Sequence, residues 1–277
     1  MDGARLRRPL LLVRLQLNLG VRQARRFSRG MATSLDALAP HASAALDMEG
    51  FVIMPGPLPP SEIGALQTFY DAAVATAARE DVRRGSTSTR VSDFVNRDAI
   101  FDCIYTWSPA LDAARRVVGR PFRLSAFHAR TLHAGAPAQE LHADVPPTSD
   151  AWPMLGLILM VDEFRADNGA TRFIPGSHRR VESPAAVLTD SLARHPDEVL
   201  ACGPAGSVIL FNASTWHGHT GNSSALPRRS LQATFIPATG RPATDFAARM
   251  RPEVLTRLTL TAHRLLGLDV DRPAPPA

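Results

Sequence analysis

The stretch Leu141-His142-Ala143-Asp144-Val145-Pro146 contains the pair of side chains from which the fold and the chemistry of this chain can be argued. We predict a β-strand here, and residues two apart in a strand point to the same side, so His142 and Asp144 share one face. Two histidines and one carboxylate that converge in this way bind Fe(II) and leave other coordination positions open. A lone His-x-Asp also fits a polar strand edge, so the pair needs a third ligand.

The third ligand is expected in the segment Thr215-Trp216-His217-Gly218-His219-Thr220-Gly221-Asn222. His217 and His219 share one strand face, so the spacing alone does not choose between them. Arg228 follows His217 by eleven residues. A planar guanidinium near an iron ligand can bind the distal carboxylate of 2-oxoglutarate through two hydrogen bonds. The pattern therefore predicts Fe(II) together with 2-oxoglutarate and O2.

The composition excludes several classes of function. The chain has 277 residues, and all 31 of its Lys and Arg residues are Arg, which excludes Schiff-base and P-loop lysine chemistry. The formal net charge is +5, but residues 1–30 contain eight arginines and one acid, so they carry +7 and the rest of the chain carries −2. The folded body is therefore not predicted to bind nucleic acid.

The cysteines and the tails bear on compartment and domain organisation. Cys103 and Cys202 have no zinc or disulfide-scaffold spacing, which favours a reducing compartment with buried thiols. No apolar run approaches the roughly 18 residues of a membrane-spanning helix. Residues 1–32 are a basic tail, either a mitochondrial presequence or an over-extended frame whose start is Met31. We expect a cytoplasmic protein, or a mitochondrial one if the presequence is real, with one domain over 33–268 and a disordered Pro-rich tail over 269–277.

The hydrophobic pattern predicts a mainly β fold with flanking helices. The predicted strands are 50–55, 123–133, 152–161, 171–174, 207–211 and 230–236, separated by turn residues as in a sandwich or jelly roll. The predicted helices are 34–47, interrupted by Pro40, then 61–79, 109–118 with Gly119 as its cap, and 245–266 with Leu255, Leu258 and Leu265 facing inward. The polar segment 80–105 shows no hydrophobic periodicity, which predicts a solvated loop. The alternative is an ordered loop that acts as a lid over the substrate.

Taken together, these motifs resemble the phytanoyl-CoA dioxygenase family of Fe(II)/2-oxoglutarate-dependent oxygenases. The resemblance covers roughly residues 46–268. The motifs that carry it are Gly50-Phe51-Val52, His142-Ala143-Asp144, Asn168-Gly169, Ile174-Pro175-Gly176-Ser177-His178, Gly206 to Phe211, His217-Gly218, Asn222, Arg228, and Arg251-Pro252-Glu253 to Gly267. The resemblance implies a double-stranded β-helix, or cupin-like jelly roll, as the core.

The resemblance also implies roles for individual residues. His142, Asp144 and His217 match the iron ligands of the family, and Arg228 matches its binder of the 2-oxoglutarate carboxylate. The family has Gly after the distal histidine, and this favours His217 over His219. His219 stands where a residue can approach the cosubstrate, contact the substrate, or lie at the solvent edge. Ala143 departs from the Gln common at this position, which removes one polar contact.

The other conspicuous residues have ordinary structural interpretations beside functional ones. His178 is expected to brace a turn near the site. His128 and Arg130 share one strand face, His133 takes the other, and either face can point into the pocket. An inward Arg130 would suit an anionic substrate, whereas an outward Arg130 would form a surface ion pair. We expect core or rim packing for Trp152 and Trp216, and positive φ angles at Gly169, Gly176 and Gly206.

The predicted function is hydroxylation of an unactivated carbon of a small metabolite, with 2-oxoglutarate converted to succinate and CO2. Two alternatives remain open at this stage. One is a cupin-like metalloenzyme that does not use 2-oxoglutarate, and the other is a catalytically silent protein that binds a small metabolite. The sequence predicts no nucleic-acid or membrane partner, and it does not specify the substrate or the oligomeric state.

Overall fold

The computed structural model describes residues 37–146 and 153–268. The predicted tails 1–32 and 269–277 and the predicted packing of Trp152 lie outside the described residues. The strands in the described part are β1 (Phe51–Pro55), β2 (Val82–Arg84), β3 (Ser88–Val91), β4 (Phe122–Leu132), β5 (Leu155–Met160), β6 (Thr171–Phe173), β7 (Val199–Ala201), β8 (Ser207–Asn212), β9 (His217–His219) and β10 (Arg228–Pro237). The helices in the same part are α1 (Pro40–Met48), α2 (Ile63–Ala75), α3 (Asp102–Tyr105), α4 (Ser108–Val118), α5 (Pro184–Val187), α6 (Phe246–Arg249), α7 (Pro252–Leu255) and α8 (Leu260–Leu266).

The strands form two antiparallel sheets. The larger sheet has seven strands in the order β1-β8-β5-β10-β4-β3-β2, and the smaller has three in the order β7-β6-β9. Strands that are distant in sequence lie side by side in both sheets, as the winding of a jelly roll requires. This architecture confirms the predicted mainly β fold with flanking helices and a double-stranded β-helix core.

An aromatic core fills the space between the two sheets. Phe51 of β1 and Phe173 of β6 stack with ring centroids 4.4 Å apart, and Phe211 of β8 tilts against Phe173 at 5.5 Å. Gly156 of β5 makes room for this cluster, because a Cβ there would lie 2.2 Å from the Phe211 ring. The cluster continues to the ring of His217, 4.9 Å from Phe211, so the hydrophobic core ends at the predicted metal site.

Helices cover the outer face of the larger sheet. Helix α4 packs against β5 and β10. Its last turn ends at Gly119, which has φ 67° as the predicted cap requires. The three glycines predicted to need positive φ also have it, at 85° for Gly169, 73° for Gly176 and 90° for Gly206. None of the helices in 37–146 and 153–268 combines the length and the apolar character that crossing a membrane requires.

Three predicted elements differ from the structure. Pro40 starts α1 rather than interrupting a helix, because its missing N–H costs nothing in a first turn. Segment 80–105 is not a loop: it contains the β2–β3 hairpin, which extends the larger sheet through β4, and 3₁₀ turns. The predicted helix 245–266 is divided into α6, α7 and α8, and Val254 rather than Leu255 is buried there.

Two smaller expectations are also wrong. The stretch 141–146 is not a strand, because its pairing with the smaller sheet is limited to a single β-bridge between His142 and His217. Cys103 is buried as predicted, but Cys202 is exposed. Both cysteines are free thiols.

Arg172 of β6 holds the segment before the predicted metal site against the loop that follows helix α5. Its guanidinium donates hydrogen bonds to the carbonyl oxygens of Gln139 at 2.9 Å, Ser191 at 2.8 Å and Ala193 at 2.9 Å. Glu198 lies 3.4 Å away, and both side chains are almost fully buried. A buried arginine with a carboxylate and three carbonyl partners fixes backbone segments that have no strand pairing of their own.

Replacing Arg172 with methionine should destabilise the protein by about 3–5 kcal/mol, because the substitution removes the buried cation that pairs with Glu198 and leaves this carboxylate only the exposed Arg194. Urea unfolding followed by circular dichroism measures this change. The matched control is Arg165→Met, which removes an exposed arginine paired with Asp167 and should change stability little. Equal stability losses in the two variants would contradict the role given to Arg172.

Candidate metal centre

His142, Asp144 and His217 lie together at one end of the space between the sheets. One ligand atom from each of the three lies within 4.8 Å of the other two. Each imidazole Nε2 is 3.6 Å from a different oxygen of Asp144: Oδ1 for His142 and Oδ2 for His217. The structure therefore brings together the three residues that the sequence predicted, and their separations leave room for an ion between them.

The two histidine rings are held with Nε2 directed at this point. Nδ1–H of His142 donates to the carbonyl of Glu140 at 3.0 Å, and Nδ1–H of His217 donates to the carbonyl of Thr215 at 2.8 Å. A proton on Nδ1 leaves the lone pair on Nε2, which is the form that binds a metal. The main chain thus sets the same tautomer in both rings.

The protonation equilibria of the three groups reflect burial and mutual attraction. Burial lowers the pKa of His217, and the carboxylate of Asp144 only partly opposes it. Burial acts in the same direction on His142, but the nearby Asp144 and the carbonyl of Glu140 outweigh it and raise the pKa of His142. Burial would raise the pKa of Asp144, yet the two imidazoles lower it on balance. The carboxylate is therefore ionised at neutral pH.

Main-chain pairing holds the ligand segments in place. The N–H of His142 donates to the carbonyl of His217 at 2.9 Å, and the reverse bond is 2.8 Å. The N–H of Asp144 donates to the carbonyl of Ala213 at 2.9 Å. Gly218 allows this approach, because a Cβ there would lie 2.8 Å from the carbonyl oxygen of Gln139. Close packing of two backbones therefore explains the glycine that follows His217.

The segment 174–178 braces the strand that carries His217. Ser177 Oγ accepts a hydrogen bond from the N–H of Trp216 at 2.8 Å and donates one to the carbonyl of Ile174 at 2.6 Å. Nε2–H of His178 donates to the carbonyl of Asp47 at 3.1 Å. His178 thus has the bracing role that was predicted. Trp216 is fully buried, which confirms its predicted place in the core.

Arg228 begins β10 and is 3% exposed. Its guanidinium lies 4.0 Å from the centre of the Phe164 ring, and none of the described carboxylates forms an ion pair with it. Burial, together with the nearby Arg130, lowers the pKa of Arg228 to about 9. A buried cation without an acidic partner is costly unless a ligand supplies the missing charge.

A cavity of about 110 Å³ joins the three candidate ligands to Arg228. His219 lines it from the same face of β9 as His217. Burial lowers the pKa of His219 to about 4, and the nearby arginines Arg130, Arg228 and Arg172 act in the same direction. His219 is therefore a neutral part of the cavity wall rather than a solvent-edge residue.

Strand β4 precedes the metal site in the sequence, and it carries His128 and Arg130 on one face and His133 on the other, as predicted. His128 and Arg130 line the cavity, whereas His133 Nε2 lies 2.9 Å from Thr89 Oγ1 outside it. Burial first, and then the nearby Arg90 and Arg130, lower the pKa of His128 to about 4. Of the two orientations left open for Arg130, the structure has the inward one.

Sequence reasoning missed five polar residues of the cavity wall, which are Arg90, Gln139, Thr171, Gln232 and Thr234. Arg90 lies in the segment interpreted as a loop, whose polar residues show no hydrophobic alternation. Gln139 lies three residues before His142, outside the His142–Asp144 motif from which the site was predicted. Thr171 could have been found by alternation, because Thr171 and Phe173 share one face of β6 and the buried Arg172 lies on the other.

Comparison with known proteins agrees with this geometry. The family model for phytanoyl-CoA dioxygenase matches residues 46–230. The dioxygenase trt7 of Aspergillus terreus is 29% identical over 258 residues, which cover 82% of this chain and 82% of that protein.

Two solved structures share the fold. HygX of Streptomyces hygroscopicus, solved with nickel, 2-oxoglutarate and hygromycin B, has a TM-score of 0.60 at 16% identity and covers 73% of this chain and 88% of its own. EctD of S. alaskensis, solved with bound Fe, has a TM-score of 0.61 at 19% identity, with 76% and 81% covered. At these identities the similarity shows the fold alone. The match of the family model over most of the chain shows that this protein belongs to the phytanoyl-CoA dioxygenase family of Fe(II)/2-oxoglutarate-dependent oxygenases.

Proposed function

We propose that this protein hydroxylates an unactivated carbon of a small metabolite, with His142, Asp144 and His217 as the ligands of Fe(II). The observation that carries the proposal is the arrangement of these three side chains, whose ligand atoms lie within 4.8 Å of one another at the end of a cavity. Two neutral imidazoles and one carboxylate on one side of an ion form the donor set of the non-haem Fe(II) oxygenases.

The three side chains fit that metal in their chemistry as well as in their positions. Both Nε2 lone pairs point at the carboxylate, and backbone carbonyls hold the opposite ring nitrogens. Asp144 is ionised, so the ligand set supplies one negative charge to a divalent cation. The remaining side of the site opens to the cavity, which leaves coordination positions for a cosubstrate and O2.

Arg228 is proposed to bind the distal carboxylate of 2-oxoglutarate. The support is its burial, its lack of an acidic partner among the described residues, and its place on the wall of the same cavity. Stacking on Phe164 fixes the plane of the guanidinium, so its donors are oriented before the anion arrives. His219, Gln139 and Thr171 add neutral polar groups around the same space.

When bound, iron, 2-oxoglutarate and O2 together supply an oxidation in which a C–H bond becomes C–OH while 2-oxoglutarate becomes succinate and CO2. The role of the protein is to orient these groups and to limit the access of water to the site. Phe211 and Phe173 pack against His217, and they close the core side of the site. The wall of the cavity is polar where the cosubstrate is proposed and opens outward beside Arg90 and Arg130.

The same observations bear on the two alternatives. A cupin-like enzyme that does not use 2-oxoglutarate would give Arg228 no anion and would leave its burial unexplained. A silent binding protein would have no need of two histidines held in the metal-binding tautomer. The buried Arg228 and the complete ligand set therefore both favour the 2-oxoglutarate-dependent hydroxylase.

Asp144→Ala should abolish iron binding and succinate formation, because the two imidazoles alone lack the charge that stabilises the divalent ion. Anaerobic Fe(II) titration followed by metal analysis of the desalted protein measures the binding. Glu140→Gln is the matched control, since it changes an exposed carboxylate two residues before His142 and keeps its carbonyl. Normal iron content in Asp144→Ala would remove this residue from the proposed ligand set.

Arg228→Ala should weaken 2-oxoglutarate binding by more than about thirtyfold, or about 2 kcal/mol, because a buried charge partner of the cosubstrate is lost. The visible charge-transfer band of the anaerobic Fe(II) and 2-oxoglutarate complex reports this affinity, and iron affinity itself should change little. Arg229→Ala is the control, because Arg229 points to the other face and pairs with Asp162 at 2.6 Å. Unchanged cosubstrate affinity in Arg228→Ala would favour the cupin-like alternative.

Iron affinity should fall as the pH is lowered toward and below the raised pKa of His142, since a protonated imidazole cannot bind the metal. Protons and iron compete for the same imidazole nitrogen, so a lower pH favours the proton and weakens iron binding. Calorimetric titration with Mn(II) between pH 5.5 and pH 8 tests this. His219→Gln should show the same pH profile, because the pKa of His219 is lowered to about 4 and the ring stays neutral over this range.

A further inference from the structure

Two arginines face each other at the mouth of the cavity. Arg90 of β3 and Arg130 of β4 are direct partners in the antiparallel register of these strands. Both line the inner cavity that contains the candidate iron ligands. Both also line an adjoining, more open cleft of about 440 Å³. The two guanidinium groups therefore stand where the inner cavity meets the outside.

The described residues do not provide one carboxylate for each arginine of this pair. Neither guanidinium forms an ion pair with a described carboxylate, and Arg130 Nε is buried without a hydrogen-bond partner. Burial, and next the nearby Arg90, lower the pKa of Arg130 to about 10. Arg229 provides a contrast, because its guanidinium forms ion pairs with the carboxylates of both Asp162 and Asp71. Like charges directly opposite each other in a sheet are destabilising, so this pair is an exception that needs a reason.

The proposed cofactors do not supply the missing negative charge. Asp144 is the acid whose charge acts on Arg130, and its two oxygens face His142 and His217. The charge of Fe(II) and that of the 2-oxoglutarate dianion cancel. Asp144 offsets one of the three cavity arginines, which are Arg90, Arg130 and Arg228. Among the described residues and the proposed cofactors, two positive charges therefore remain unbalanced in the loaded site.

The other polar groups among the described cavity residues carry no negative charge that could balance these two positive charges. Burial lowers the pKa of His128 to about 4, so this ring is neutral at physiological pH. Gln139 and Gln232 are uncharged. Arginines kept in an electrostatically unfavourable place beside a reaction site are characteristic of a binding function.

We propose that Arg90 and Arg130 bind an acidic group of the organic substrate, so that the enzyme selects substrates that carry a carboxylate. This inference rests on the proposed function and specifies its substrate class. Two planar guanidinium groups that approach from neighbouring strands match the two oxygens of a carboxylate. Because the pair lies at the mouth, the acidic group would be held there while the rest of the molecule extends toward the iron ligands.

The test compares matched acids and amides on the full-length protein loaded anaerobically with Fe(II) and 2-oxoglutarate. The probes are hexanoate, 3-phenylpropanoate and 4-phenylbutanoate, each beside its primary amide. Titration calorimetry, together with the shift of the charge-transfer band, measures the affinity of each. At least one acid should bind at least about tenfold more tightly than its amide, since charge-assisted hydrogen bonds replace neutral ones.

The variants assign that preference to the arginine pair. Arg130→Met and Arg90→Gln should each reduce the preference for the acid to within about twofold. Arg84→Gln should preserve it, because Arg84 is an exposed arginine on the same hairpin that does not line either space. Arg90 is itself exposed, so Arg90→Gln keeps the fold even if Arg130→Met does not.

Several results would overturn the inference. They are equal binding of acids and amides by the parent, no binding of any acid, and an acid preference that survives in the Arg90→Gln, Arg130→Met double variant. A loss of 2-oxoglutarate affinity in Arg130→Met as large as in Arg228→Ala would show that the pair holds the cosubstrate instead. Absence of the charge-transfer band in the parent, before any probe is added, would overturn the proposed function and this inference with it.

Discussion

The main-chain pairing between His142 and His217 is the contact on which the rest of the site depends. Two reciprocal hydrogen bonds of 2.9 and 2.8 Å bring segments that are 75 positions apart into register. The pairing requires a backbone without a side chain at Gly218. Once it forms, both imidazoles and the carboxylate of Asp144 have little freedom, because each ring is also tied to a carbonyl. The ligand geometry is thus a consequence of backbone contacts and not of the side chains alone.

The chemistry of the site could be predicted from the sequence more completely than its backbone. The spacing of His142 and Asp144, and the distance from His217 to Arg228, are what the proposed metal and cosubstrate sites require, and such requirements are visible in residue types. The strand predicted at 141–146 was wrong because its hydrogen bonds go to distant partners, and alternation does not reveal whether a partner exists. Arg90 was missed for the related reason that β2 and β3 are short, polar strands near the edge of the sheet, and the pairing of β3 with β4 gives no hydrophobic signal.

Burial divides the cavity residues into two electrostatic groups. The imidazoles of His128 and His219 lose their charge because desolvation lowers their pKa values to about 4. Arg130 and Arg228 cannot respond in the same way, because even the lowered pKa values of about 10 and about 9 leave them protonated at neutral pH. Among the described residues, the charged groups that line the cavity are therefore positive except for Asp144, and anionic ligands would balance them.

The position of Arg90 depends on a part of the chain far from the iron ligands. Asp81, at the start of the β2–β3 hairpin, is 3% exposed and forms ion pairs with Arg97 at 3.1 Å and with Arg249 from helix α6. The N–H of Ser92 closes the hairpin by donating to the carbonyl of Asp81 at 3.0 Å. An edge hairpin without this anchorage would be free to fray, since β2 is paired with β3 on one side and has no neighbouring strand on the other. Helix α6, which provides none of the three candidate metal ligands, therefore anchors the hairpin that carries the arginine at the mouth of the cavity.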